Sequence, residues 1–127
     1  KEKIIQKGSN ITSERLRFDF SFSRKLTDEE KMKIENVVNE KIQAKLPVQK
    51  IILKREEAER TGAAHVFGAK YGDEVSIYYI GSPFETAYSK EFCGGPHVTN
   101  TIELGTFKIQ KEEAVASGIR RINAVLV

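Results

Sequence analysis

The sequence predicts an α+β domain: a largely antiparallel sheet covered on one face by helices. Three observations carry that reading. Residues 15–22 alternate apolar and polar side chains without a break, Thr27 to Glu30 open an amphipathic helix, and several later strand-like stretches are joined by links too short for parallel crossovers. A chain of 127 residues with 39% hydrophobic and 31% charged side chains can bury a core without disulfide support, so one globular unit spanning residues 1–127 is expected.

Taken in order, the first dozen residues carry turn formers and little periodicity, which places the start of the fold after them. From Arg15 to Phe22, Leu16, Phe18, Phe20 and Phe22 share one face and Arg15, Arg17, Asp19 and Ser21 the other, as in a half-buried strand. Thr27-Asp28-Glu29-Glu30 is a capping box, with the Thr27 hydroxyl set for the amide three residues on and Glu30 set to reach back. Behind it Ile34, Val38, Ile42 and Leu46, with Val37 beside them, form an apolar stripe that Pro47 brings to an end. This spacing makes core, not a cofactor pocket.

Residues 48–54 are rich in β-branched side chains and predict a second strand, followed by a short charged helix over 56–60 that Gly62 stops. Phe67-Gly68-Ala69-Lys70-Tyr71-Gly72-Asp73 predicts a loop feeding a strand over 74–80, in which Val75, Ile77 and Tyr79 alternate with Ser76 and Tyr78. Gly81-Ser82-Pro83 ends it. Residues 105–109 resemble a strand start, Lys111 to Ser117 reads as a brief helix closed by Gly118, and Ile119 to Val127 as a last, mostly buried strand. No internal repeat, low-complexity tract or linker marks a domain boundary.

Composition narrows the function classes. No apolar run approaches the length of a membrane span, and Lys1-Glu2-Lys3-Ile4-Ile5 lacks the apolar segment of a signal peptide. A single cysteine permits no internal disulfide, which suits a reducing cytosol, so a cytoplasmic location is expected. The formal charge of +3 permits contact with phosphate without establishing it.

Chemistry concentrates at Ser89-Lys90-Glu91-Phe92-Cys93-Gly94-Gly95-Pro96-His97. A thiolate and an imidazole are strong zinc donors, and Cys93 and His97 lie four positions apart across a Gly-Gly-Pro turn that can bring both to one point. Two donors alone are fewer than a zinc site takes. The plain alternatives are a small buried hydrophobe and an ordinary turn.

Gln6-Lys7-Gly8-Ser9, Arg15-Leu16-Arg17-Phe18-Asp19-Phe20, Phe67-Gly68-Ala69-Lys70-Tyr71-Gly72-Asp73, Glu91-Phe92-Cys93-Gly94-Gly95-Pro96-His97 and Gly118-Ile119-Arg120-Arg121-Ile122 together resemble, in order, the editing domain of alanyl-tRNA synthetase. The likeness extends to free-standing alanyl-tRNA editing proteins and to the second additional domain of threonyl-tRNA synthetase. It implies the common domain type of threonyl and alanyl-tRNA synthetases. It also implies a deacylase that removes serine or glycine wrongly attached to alanine tRNA, working on the tRNA acceptor end within a synthetase polypeptide. Such a second site answers a physical need, because a pocket sized for alanine cannot exclude glycine and rejects serine only modestly.

In that family zinc is held by an HxxxH pair and by the Cys and His of a CxxxH motif, and Cys93 and His97 match the second pair. The HxxxH pair normally lies shortly before the position of Gln6, so the chain is expected to be a fragment whose zinc site is incomplete. His65, the other histidine, stands where the family has an aliphatic residue and is not expected to replace them. Pro96 stands where Thr is more usual, and Ile102 where Gly usually precedes the acid matched by Glu103.

Gln6 matches a pocket position where an amide could hydrogen-bond the amino acid or ribose; the alternative is an exposed polar residue near a frayed end. Arg120 and Arg121 could contact tRNA phosphate or pair with carboxylates. No nucleotide-binding loop is present, so aminoacylation is not expected of this chain. The rival to deacylation is a non-catalytic tRNA-binding or scaffold module that keeps the fold without a complete metal site.

Overall fold

The computed structural model describes residues 3–64 and 72–127. Its strands are β1 (Gln6–Ile11), β2 (Leu16–Ser21), β3 (Val48–Lys54), β4 (Glu74–Ile80), β5 (Ser89–Phe92), β6 (Phe107–Ala116) and β7 (Ile119–Leu126); its α-helices are α1 (Asp28–Gln43) and α2 (Arg55–Glu59). The class is α+β and the strand pairing antiparallel, as predicted, but the strands divide between a four-stranded sheet ordered β1-β2-β7-β6 and a three-stranded sheet ordered β3-β4-β5. The chain correspondingly forms two compact units, one from residues 1–42 and 104–127, the other from residues 43–103. None of the helices described is long and apolar enough to cross a membrane.

In the first unit the β2 alternation works as read: Phe20 is buried, and Leu16, Phe18 and Phe22 pack against the same core, which α1 completes with Ile42, Ile34 and Val38. The capping box forms, with the Glu30 amide donating to Thr27 Oγ1 at 3.1 Å and the Thr27 amide to Glu30 Oε1 at 2.9 Å. The helix ends at Gln43, short of Leu46, because Lys45 takes a left-handed φ of 54°. Farther along, Asn39 closes the start of β6 by accepting from the Phe107 amide at 2.7 Å and donating to its carbonyl at 2.9 Å.

Two readings are corrected here. Residues 6–11 are not a prelude to the fold but an edge strand, registered on β2 by main-chain bonds that ask nothing of side-chain periodicity. Residues 111–117, rich in helix formers, lie in β6 through Ala116 because β6 pairs with β7 along its length; Gly118 makes the hairpin turn instead of a helix cap, using the same positive φ, here 72°. Pairing across the sheet overrides local propensity.

In the second unit β3 and β4 occupy the predicted residues. Val75 and Ile77 are buried with Ala58 of α2, Ala63 and Phe92, while Ile51, Leu53 and Phe84 pack around them. Residues 89–92, part of the central polar stretch in the sequence, pair with β4 as a third strand. His65 and most of the loop read at 67–73 lie outside the described residues.

Candidate functional site

Strand β4 organises the site. Its buried residues Val75 and Ile77 fix its register, so Ser76 and Tyr78 project to the opposite face. At the end of β5 the Cys93 amide donates to the Ser76 carbonyl at 3.0 Å, which ties Cys93 to that strand. The chain then turns through Gly94, Gly95 and Pro96, and His97 Nε2 returns to 3.0 Å from Cys93 Sγ. The His97 ring also lies against Tyr78, with centroids 4.0 Å apart and planes inclined at 34°. Cys93 is half-buried and His97 exposed. Neither glycine of the turn takes a positive φ, and a Cβ on Gly94 would meet nothing within 4 Å, so this bend does not require glycine for its backbone conformation.

The far end of the turn is pinned as firmly as the near one. Val48 donates its amide to the Thr99 carbonyl at 2.9 Å, Asn100 Nδ2 donates to the Lys45 carbonyl at 3.0 Å, and the buried Thr101 exchanges bonds with Leu46. Glu103 Oε2 accepts from Thr99 Oγ1 at 2.6 Å, the Thr99 amide at 3.1 Å and the Asn100 amide at 2.9 Å. These donors, the Thr99 hydroxyl foremost, hold its carboxyl below the usual glutamate range although burial opposes them. The acid singled out beside Ile102 thus braces the segment that follows His97.

The donor set fits zinc as half a site. Zinc–sulfur and zinc–nitrogen bonds at a tetrahedral angle place the two donors about 3.5 Å apart, so opening the Cys93–His97 hydrogen bond by about half an ångström would admit the ion. Among the described residues, no group of three or more His, Cys, Asp and Glu stands together as a metal site.

The remaining sequence-predicted residues lie in the other unit. Gln6 stands opposite Phe20 in the β1–β2 ladder. Arg120 donates through Nε to Glu112 Oε2 at 2.5 Å, and Arg121 grips Asp19 at two points, 2.8 and 3.0 Å. The Glu112 side chain is fully enclosed; burial is the largest influence on its carboxyl and works to raise the pKa, but the Arg120 bond, the Leu26 amide and the charges of Arg120 and Lys31 together outweigh it and the net shift is downward. The predicted zinc donors Cys93 and His97 are brought into contact. Tyr78 was missed. The alternation of β4 places it beside Ser76, but only the His97 ring contact reveals that the turn folds over that face.

A family model described as the threonyl and alanyl tRNA synthetase second additional domain matches residues 75–123. The alanine–tRNA ligase of Borreliella burgdorferi is 56% identical over 126 residues, 99% of this chain and 20% of the ligase. That of Treponema pallidum is 51% identical over 123 residues, 97% of this chain and 20% of the ligase. For Shouchella clausii the figures are 48% over 124 residues, 98% of this chain and 14% of the ligase. The chain therefore spans about a fifth or less of the length of these curated relatives.

Proposed function

We propose that this chain, which is similar over nearly its whole length to alanine–tRNA ligases and matches the second additional domain of threonyl and alanyl tRNA synthetases, is an editing deacylase module of a longer ligase polypeptide. Its substrate is alanine tRNA carrying serine or glycine, and its working place the cytoplasm. The observation that carries the reading is the 3.0 Å approach of Cys93 Sγ and His97 Nε2 in a chain with these relatives.

Cys93 and His97 supply two ligands of a zinc site whose others come from outside the described residues. Bound there, zinc would polarise the aminoacyl ester, orient the terminal adenosine or position water. The chain's own part is to hold the two donors: the Ser76 carbonyl fixes Cys93, and the braces at Thr99, Asn100 and Glu103 fix the segment after His97. Gln6 is assigned an amide contact to the amino acid or ribose. Arg120 and Arg121 are assigned tRNA phosphate, for which each would have to share a guanidinium already bonded to a carboxylate.

The test is hydrolysis of serine ester by the intact parent ligase. Cys93→Ala is expected to abolish it, and wild-type activity in that variant would refute the role. Zinc content, measured on this chain and on the same domain extended to include an HxxxH pair, is expected to be stoichiometric only in the longer form.

The alternative is a module that keeps the fold without a complete metal site. On that reading the chain binds alanine tRNA without hydrolysing it. Salt-dependent affinity with no loss of ester would support it, and rapid hydrolysis would exclude it.

A further inference from the structure

His97 is exposed on a turn, where an imidazole ordinarily samples several rotamers, yet its Nε2 is held at hydrogen-bond distance from Cys93. The group touching its ring face is Tyr78 of β4, 4.0 Å away between centroids. Tyr78 is itself anchored by pairing with Lys50 on one side and Glu91 on the other, in the middle of the three-stranded sheet. Two residues earlier on the same strand, the Ser76 carbonyl holds the Cys93 amide. One strand therefore fixes both donors, at points about 7 Å apart along its axis.

We propose that Tyr78 is a positioning residue: its ring holds the His97 imidazole in register with Cys93, so that the pair is preorganised as ligands. The inference rests on the reading of Cys93 and His97 as zinc donors, but the ring contact it describes exists without the metal. The contact uses the aromatic face, so phenylalanine preserves it and leucine, of comparable apolar bulk, does not.

The test is proton NMR of the metal-free 127-residue protein, with the His97 ring signals assigned by their loss in His97→Gln. In the wild type these signals are expected upfield of a free imidazole, with a through-space contact to the Cys93 β-protons. Tyr78→Phe keeps both features. Tyr78→Leu loses both while the amide spectrum of the core stays in place.

An unshifted His97 ring in the wild type would overturn the proposal without need of any variant, as would an unchanged Cys93 contact in Tyr78→Leu. In the extended, zinc-competent protein, Tyr78→Leu is expected to weaken zinc binding by about tenfold or more relative to Tyr78→Phe, as loss of an outer support does. Equal affinities would overturn it too. Should the extended wild type bind no zinc, the ligand reading fails, and the NMR contact decides the positioning role by itself.

Discussion

Asp19 and Arg121, 102 positions apart in sequence, face each other across β2 and β7 and join at two points, Nε to Oδ1 at 2.8 Å and Nη2 to Oδ2 at 3.0 Å. The planar guanidinium matches the carboxylate edge to edge, which a lysine could not do. Its hydrogen bond holds the Asp19 carboxyl below its ordinary value of 3.8, against the pull of burial. A depressed folded-state pKa contributes stability that is fully present above the unfolded value and is lost as pH falls through the folded one. The stability gap between wild type and Asp19→Asn should therefore be constant above about pH 4 and shrink below it. Urea unfolding across that range measures it, and a gap unchanged into acid would show that the ion pair is not its source.

Neighbouring strands offer a sharper contrast. Ile77 on β4 is fully buried, whereas Ile52 on β3 is 56% exposed on the other face of the same sheet. Truncating Ile77 to alanine should cost about 3 kcal/mol, the usual range for an enclosed aliphatic side chain that leaves a cavity. Ile52→Ala should stay within about 0.5 kcal/mol. Chemical denaturation of both variants checks the pair of values. A comparable loss at Ile52 would mean that its face is covered in the folded protein.

Two amides of the segment behind His97 converge on one carboxylate. Glu103 receives the Thr99 and Asn100 amides as well as the Thr99 hydroxyl. Glu103→Ala should accelerate hydrogen exchange at both amides and leave the Val75 and Ile77 amides of β4 protected. Unchanged exchange at Thr99 and Asn100 would show that another group braces the turn.

What could be read from the sequence follows from how local each signal is. The alternation of Leu16, Phe18 and Phe20, the Thr27–Glu30 box and the β-branched run of β3 are local codes, and the structure realises them. β1 was illegible because an edge strand takes its register from main-chain bonds to β2. Residues 111–116 were misread because Glu112 and Glu113 serve partners on the neighbouring strand, Arg120 and Asn123, eight and ten positions on, which helix propensity cannot anticipate. At the site, Cys93 and His97 were legible as a donor pair by residue type and spacing. Tyr78 was not, since its role arises from a turn folding over a strand fifteen and more residues upstream.

Two glycines with positive φ separate backbone strain from steric collision. Gly118, at φ 72° in the β6–β7 turn, has open space where a Cβ would stand, so Gly118→Ala should cost only the left-handed penalty of about 1–2 kcal/mol. Gly105, at φ 79°, is different. A Cβ there would sit 2.6 Å from the Val127 carbonyl oxygen, the oxygen that accepts the Thr106 amide at 2.9 Å. Gly105→Ala must therefore suffer the same strain and also push Val127 away, breaking the reciprocal bonds between Thr106 and Val127 that tie the start of β6 to the end of β7. Its loss should exceed that of Gly118→Ala by at least about 1 kcal/mol, the usual net value of a hydrogen bond. Urea unfolding of the two variants side by side gives the order, and equal losses would mean that the end of β7 yields without cost.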